Sequence, residues 1–338
     1  MKPNKTEYDP KLNSYEVVIA GGAMIGTAIA WFLISNSDFN GNILVVEKDP
    51  TLEFSSTSRT NNSIRQQFSN KLNIEISQFS SNYILNFKSY MENDERIPEI
   101  MFNKIGYLYL ADNIKKINLL KKNQKLQNSL NIPTKIYDQN SLLEKFPYLN
   151  VKNLIGGSYN NYNEGYFDSN TIFSWWKKKA AEKGVEFIKN EVTEIALGSK
   201  KINAITLKDG SKLKIGSFVN ATGTKASTFD KTHFLRIPVE PRKRYTFIFK
   251  TEAKINNSVP LIIDPTGIHF RSDGNYFLCG CAPEFDDTVA YDDFTIDYEL
   301  WEEKIWPILA NRIPDFERIK LVNAWAGHYA FNTFDQNG

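Results

Sequence analysis

The chain has 338 residues, with 41 Lys and Arg against 39 Asp and Glu, for a formal charge of +2. That length suffices for two domains and a substantial core, and the near-balance of charge excludes an extended nucleic-acid surface. No apolar run approaches the ~18 residues of a membrane span, so no membrane-spanning helix is expected. Residues 1–14 are polar, contain acids and no Arg, and lack an apolar stretch. Neither a secretory signal nor a transit peptide is expected there, and a cytoplasmic setting follows.

The first predicted strand, Val17 to Ala20, ends in the turn Gly21-Gly22-Ala23-Met24-Ile25-Gly26. A helix follows, with Ile25, Ala28, Ile29, Phe32 and Leu33 on the face expected to pack on a sheet. A second buried strand, Ile43 to Val46, ends in Glu47, which stands 21 residues after Gly26. This is a βαβ unit with the spacing of a dinucleotide site. Gly21 makes the tight turn, Gly26 lets helix and strand close together, and the helix N-terminus faces a diphosphate. Ala23 departs from the fingerprint by placing a methyl where the backbone approaches the phosphates, and Gly22 supplies part of the lost freedom.

A polar loop, Ser55 to Asn62, leads to a helix marked by Leu72, Ile76, Phe79, Tyr83 and Phe87. A strand is predicted over 105–111, and a Lys-rich helix over 113–130 with Ile114, Ile117, Leu120 and Leu130 on its apolar side. Asp168 or Ser169 caps the next helix, which stops at Gly184 and carries Trp175 and Trp176 as core residues. Short strands follow at 185–188, 192–197, 202–207 and 212–215, with a hairpin turn at Asp209-Gly210. Another buried strand runs into Ala221-Thr222-Gly223. An antiparallel meander inserted into a Rossmann-type sheet departs from the usual NAD dehydrogenase layout and points to flavin-adenine dinucleotide. From Ile237 onward, strands at 244–250, 267–271 and 276–282 and a helix over 298–312, kinked at Pro307, form a mostly antiparallel second domain. The fold class is α/β locally and α+β overall, with the substrate site between the two domains. The two cysteines, Cys279 and Cys281, sit on one face of an apolar strand and read as a reduced core pair. With only His233, His269 and His328 to add, no metal centre is expected.

The chain resembles the D-amino-acid oxidase superfamily of FAD-dependent oxidoreductases, which includes sarcosine oxidases and dimethylglycine dehydrogenases. The likeness rests on Gln66-Gln67-Phe68-Ser69, on Val239-Glu240-Pro241-Arg242-Lys243-Arg244-Tyr245, and on Ala324 to Tyr329 and Asn332 to Gly338. The resemblance implies that residues Gly21, Gly22, Ala23, Met24, Ile25 and Gly26 hold the FAD diphosphate, and that Glu47, with Lys48 beside it, meets the adenosine ribose. Ser56 and Thr57 match loop residues at the phosphates and flavin, Val192 one at adenine, and Ala221, Thr222 and Gly223 a second stretch along the ADP moiety. It also implies an FAD-binding domain at 1–85, 160–235 and 322–338 and a substrate domain at 86–159 and 236–321.

Arg65 matches an arginine that sarcosine oxidases place on the substrate carboxylate. His269 and Arg271 alternate onto one face of a strand that could line the same pocket, and His328 lies among family-like residues near the flavin. The implied reaction is hydride transfer from a secondary or N-methyl amino acid to flavin. The strand at 276–282 lacks the lysine that oxidases of the family carry, which favours a dehydrogenase with another electron acceptor. Residues 55–65 hold no His, and Gly327 and His328 stand where some members attach FAD through Cys, so FAD is expected to be noncovalent. The resemblance implies several tens of further residues beyond the equivalent of Gly338, with a last strand and a glycine-rich turn, so the expectation is either that the chain is truncated there or that this piece comes from elsewhere. A family member tied to respiratory-complex assembly raises the alternative of a protein partner, for which Arg242-Lys243-Arg244 is the candidate docking run.

Overall fold

The computed structural model describes residues 9–198, 201–232, 237–253, 255 and 258–336. His233, most of the polar leader and the last two residues of the C-terminal run lie outside the described residues. The chain opens with β1 (Ser14–Ala20), α1 (Met24–Ile34), β2 (Ile43–Glu47), β3 (Ser63–Ile64), α2 (Lys71–Leu85) and a single turn, α3 (Phe87–Tyr90). Then come β4 (Phe102–Asn103), β5 (Tyr107–Ala111), α4 (Ile114–Ser129), β6 (Lys135–Asp138), α5 (Gln139–Lys145), β7 (Gly156–Asn160), β8 (Gly165–Phe167) and α6 (Ser169–Glu182). Next come β9 (Glu186–Lys189), which pairs parallel with β2, and the antiparallel meander β10 (Val192–Leu197), β11 (Ile202–Leu207) and β12 (Lys212–Asn220). The rest comprises β13 (Val239–Thr251), β14 (Leu261–Ile263), β15 (His269–Asp273), β16 (Tyr276–Cys281), α7 (Tyr298–Leu300), α8 (Trp306–Arg312) and β17 (Ile319–Asn332).

Six strands form one sheet in the order β10-β11-β12-β1-β2-β9. β1 runs parallel to both β12 and β2, in register from Ala20↔Asn220 to Ala20↔Val46 at its C-terminal end. Both faces of these strands are covered, which is why they read as unbroken Val, Ile and Leu. Val17, Ile19, Ile43 and Val45 pack with Ala30 of α1 and Ala180 of α6, while Val18, Leu44 and Val46 pack against the meander. The stretches 212–215 and 218–220, expected as separate strands, are one strand, because β1 pairs with β12 along its whole length.

Eight strands form the larger sheet, in the order β17-β13-β16-β15-β14-β5-β7-β6. Residues 322–332, which the resemblance assigns to the FAD-binding domain, run within β17 of this sheet. One parity of its strands is core: Leu108, Tyr245, Phe247, Phe249, Phe270, Cys279, Cys281 and Ala326 pack against Trp301, Ile305, Leu309 and Phe316. Cys279 and Cys281 are buried free thiols. The opposite parity, carrying Tyr107, Tyr109, Thr246, His269, Arg271 and Gly280, follows by alternation and is crossed by residues 59–67. The predicted helix at 298–312 is interrupted by a π-helical turn at Trp301–Ile305 immediately before Pro307, which has no N–H to offer the helix.

Two helix faces differ from expectation. In α1 the buried residues are Gly26, Thr27, Ala30 and Trp31, while Ile25 and Phe32 are exposed. The small residues let the helix approach the sheet, and that closeness, not the count of large apolar side chains, sets its rotation. In α2 the buried residues are Ile74, Ser77, Ser81, Tyr83 and Ile84; of the expected stripe, Tyr83 and the following Phe87 are buried, while Leu72, Ile76 and Phe79 face outward. The two serines are inside because they hydrogen-bond the segment after β3: Ser77 Oγ donates to the Arg65 carbonyl, and Gln66 Nε2 donates to Ser81 Oγ. Among the described residues, no helix is long and apolar enough to cross a membrane.

Candidate active site

The turn after β1 is built for close approach. Gly21 has φ +99°, and a Cβ there would stand 2.3 Å from the Ala221 carbonyl oxygen. A Cβ on Gly26 would stand 1.8 Å from the Gly21 carbonyl oxygen. Only glycine satisfies both positions. α1 starts with Ala23 at its N-cap, which makes no side-chain cap, and the first turn holds no acid. Apart from Thr57 Oγ1, which accepts the Met24 N–H at 3.2 Å, and Glu47, which accepts the Gly22 N–H just before the helix, no side chain among the described residues accepts from this electropositive end. An uncapped helix N-terminus above a glycine turn fits a diphosphate. The methyl of Ala23 lines the cleft and leaves the turn intact.

Glu47 ends β2 beside this turn. Its Oε2 accepts the Gly22 N–H at 2.7 Å and its Oε1 accepts the Asp49 N–H at 2.9 Å. The two bonds fix the carboxylate at the lip of a cleft of about 560 Å³. Gly21, Ala23, Ile25, Glu47, Lys48, Ser56 and Thr57 line it from one side, and Val192, Ala221, Thr222 and Gly223 from the other. Gly22, Met24 and Gly26 stand behind that lining as its backbone support. Sequence reading did not pick out Lys225, Tyr291 or Phe54, which also line the cleft. Burial, then the neighbouring Lys48 ammonium, hold the Lys225 ammonium below the usual lysine range. The Lys225 ammonium sits 5.3 Å from the centre of the Tyr291 ring. No local pattern marks these three residues, because they meet only when distant loops close over the sheet.

The four residues proposed for chemistry separate into two groups. His328 lies on the core-side parity of β17: its ring stacks on Phe294 with centroids 4.2 Å apart, and Nε2 meets the Asp293 carbonyl at 2.9 Å. Its backbone oxygen accepts Ser56 Oγ at 2.7 Å, which brings it to the cleft wall. His269, Arg271 and Arg65 gather elsewhere, on or over the other face of the large sheet. Ile263 of β14 lies between His269 and Tyr109 in register. Burial, then the Arg271 charge, push the His269 imidazole down to about 4, so it is neutral near pH 7. Arg271 is buried, stacks on Tyr166 at 3.9 Å, and donates to Asp273 Oδ1 at 2.7 Å and to the Asn61 carbonyl at 3.1 Å.

Arg65 follows β3 directly. Its guanidinium lies 4.6 Å from the centre of the Phe68 ring and beside the Tyr109 hydroxyl, and its Nε is buried without a hydrogen-bond partner. Burial pushes the Tyr109 hydroxyl up to about 12. No ion pair joins Arg65 to a described carboxylate, whereas Arg244, Arg271 and Arg312 are each paired. The basic run is also spoken for: Arg242 pairs with Glu240, Lys243 with Asp293 and Arg244 with Asp286. Those three ion pairs within the chain leave no free cationic docking strip there.

Residues 16–337 match the model of the family described as DAO, FAD dependent oxidoreductase. The chain belongs to the DAO family of FAD-dependent oxidoreductases. FAD is accordingly its cofactor, and the glycine cradle, the uncapped α1 terminus and Glu47 fit that dinucleotide. FAD-dependent oxidoreductase domain-containing protein 1 of Xenopus laevis is 31% identical over 358 residues, 96% of this chain and 71% of that protein. The Bos taurus protein of the same name is 32% identical over 357 residues, 96% of this chain and 73% of its own length. Among solved structures, L-proline dehydrogenase from P. horikoshii superposes with a TM-score of 0.80 at 24% identity, covering 95% of this chain and 83% of that one. Glycine oxidase from Geobacillus kaustophilus gives 0.75 at 18% identity, covering 95% and 84%. At these identities the two structures show a shared fold.

Proposed function

We propose that this DAO-family protein dehydrogenates a small secondary or N-methyl amino acid at the carbon beside nitrogen, with an electron acceptor other than oxygen. The observation that carries the reading is Arg65: a half-buried guanidinium without an ion-pair partner among the described residues, beside the Tyr109 hydroxyl on the sheet face. A planar guanidinium held this way is suited to a carboxylate taken in a two-pronged grip. Neutral His269, on the same sheet face, is suited to accept a hydrogen bond from the substrate amine; held down at about 4 by burial and Arg271, it does not itself take up the proton near pH 7. Arg271 is fixed by Asp273 and the Asn61 carbonyl, and its charge keeps His269 neutral. Bound FAD supplies the two-electron acceptor. The iminium product then hydrolyses in water.

An amino-acid substrate is supported by the fold neighbours named L-proline dehydrogenase and glycine oxidase. Use of another acceptor is supported by β16, which presents Leu278 and Gly280, and no lysine, on the parity opposite its buried cysteines. Noncovalent FAD is part of the reading, since both cysteines are in the core of the large sheet. So is a cytoplasmic setting, supported by the same two unpaired thiols.

The test is anaerobic mixing of the FAD-loaded protein with sarcosine, dimethylglycine and L-proline while the flavin absorbance is followed. Bleaching by at least one is expected. Arg65→Ala is expected to raise the half-saturating concentration ~100-fold, the equivalent of about 3 kcal/mol for a lost charge-assisted contact. A broad amino-acid panel that leaves the flavin oxidised would overturn the reaction, and an unchanged half-saturating concentration in Arg65→Ala would remove that residue from the site.

A further inference from the structure

Gln66 and Gln67 stood out in the sequence, and the reading of the active site leaves them unused. β3 ends at Ile64, paired with Gly165, so the next N–H groups have left the ladder. A single buried carboxylate receives them. Glu164, fully buried in the turn between β7 and β8, accepts the Gln66 N–H at 2.6 Å and the Gln67 N–H at 2.9 Å on Oε1. Its Oε2 accepts Gln67 Nε2 at 3.0 Å. The Gln67 amide is itself fixed, donating to the Tyr107 carbonyl at 2.9 Å and accepting Ser158 Oγ at 2.9 Å. On the other side of Arg65, Ser77 Oγ donates to the Arg65 carbonyl.

We propose that Glu164 is a positioning residue for Arg65: it clasps the two peptide N–H groups that follow Arg65 and so sets where the guanidinium meets a substrate carboxylate. This rests on the reading of Arg65 as the carboxylate anchor. Burying a carboxylate is costly unless its lone pairs are filled, and here three donors offset part of that cost. A glutamine at 164 has the same shape but offers one acceptor oxygen and turns an NH2 toward a donor. Both peptide N–H bonds then rest on one neutral amide oxygen and weaken, and the donor-to-donor contact at Gln67 Nε2 pushes the side chain away, which loosens the segment and leaves Arg65 off its aim. The other titratable groups around Glu164 are Tyr107 and Tyr109 on β5 and Tyr159 on β7, all held protonated by burial, so none competes as a second anion.

The experiment uses FAD-loaded wild type, Arg65→Ala, Glu164→Gln and Glu164→Asp. The probe is whichever of sarcosine, dimethylglycine or L-proline reduces the wild-type flavin at the lowest concentration. Glu164→Gln is expected to raise the half-saturating concentration ~10-fold to ~30-fold, a misplaced charge-assisted contact, with the limiting reduction rate and the FAD affinity unchanged. Glu164→Asp, which keeps the charge but draws it back from the N–H groups, is expected to fall between wild type and Glu164→Gln, and it carries the test should the glutamine variant not fold. If Arg65→Ala shifts the concentration while both folded Glu164 variants match wild type, this proposal falls and the Arg65 reading stands. If Arg65→Ala also matches wild type, or no probe reduces the flavin, the Arg65 reading falls and takes this proposal with it.

Discussion

Gly26→Ala tests the cofactor cleft at its tightest point. The new methyl would lie 1.8 Å from the Gly21 carbonyl oxygen, whereas ordinary C···O contacts are about 3.3 Å or longer. The obstacle is backbone, so no side chain can swing aside, and α1 must withdraw by roughly 1.5 Å. Hydrogen bonds from its first turn to a diphosphate would be stretched past their useful range. Losing two such bonds to an anion removes about 3 kcal/mol, or ~100-fold in FAD affinity, and the overpacking itself costs roughly 1–3 kcal/mol of stability. Gly210→Ala is the control. It places a methyl at positive φ, +88°, a strain that Gly26 does not carry, with nothing within 4 Å, so it loses stability without losing FAD. The assay is FAD titration by flavin fluorescence, paired with thermal unfolding of the flavin-free proteins. Wild-type FAD affinity in Gly26→Ala would refute the assignment of this turn to the diphosphate.

The remaining predictions concern buried charge. Asp264 and Arg312 form a pair at 2.7 Å, with the Asp264 side chain 1% exposed and Arg312 also held by the Asn150 carbonyl at 2.6 Å. Asp264→Ala strands the guanidinium and is expected to cost about 3–5 kcal/mol in urea unfolding without altering the flavin spectrum, and a cost under about 1 kcal/mol would show that the arginine finds other partners. Burial, outweighing its N–H donors, raises the Glu164 carboxyl to about 7 from its ordinary 4.5. The folded chain therefore keeps a proton that the unfolded chain releases, so the stability this group contributes is complete below pH 4.5 and is lost as pH rises through 7. Wild type is expected to lose up to about 3 kcal/mol relative to Glu164→Gln between those limits, and parallel stability curves for the two proteins would contradict it.

How far the sequence reveals this molecule depends on how local each feature is. The β1–α1–β2 unit was legible to its ends because a glycine turn, an uncapped helix start and Glu47 all act within about thirty residues of chain. The face that α1 buries was not, because Gly26 and Ala30 bring the helix so close that Ile25 is left facing the cleft. α2 misled for a related reason: its buried stripe contains Ser77 and Ser81, whose partners are the Arg65 carbonyl and the Gln66 amide. Hydrophobic periodicity has no means to register a helix face that docks by hydrogen bonds. The basic run Arg242-Lys243-Arg244 reads as a free cationic strip until Asp286 and Asp293 fold back on it.

The sheet face that carries His269 and Arg271 shows where the line runs between the two kinds of information. Strand alternation by itself placed His269 with Arg271 and, by the same parity, put Phe270, Cys279 and Cys281 in the core. What alternation does not carry is the order β16-β15-β14-β5, which sets Tyr109 across β14 from His269. Nor does it carry the passage of residues 59–67 over that face, tied down by Asn61 to Arg271 and by Glu164 to Gln66. Glu164 is 98 residues from Gln66 and sits in a polar stretch that reads as a surface turn. A carboxylate buried there is costly, and the segment it orders carries Arg65, half-buried and without an ion pair among the described residues. Strand parity, legible in sequence, thus selects which residues share that face of the large sheet, and a long-range polar clasp, invisible there, holds the segment that crosses it.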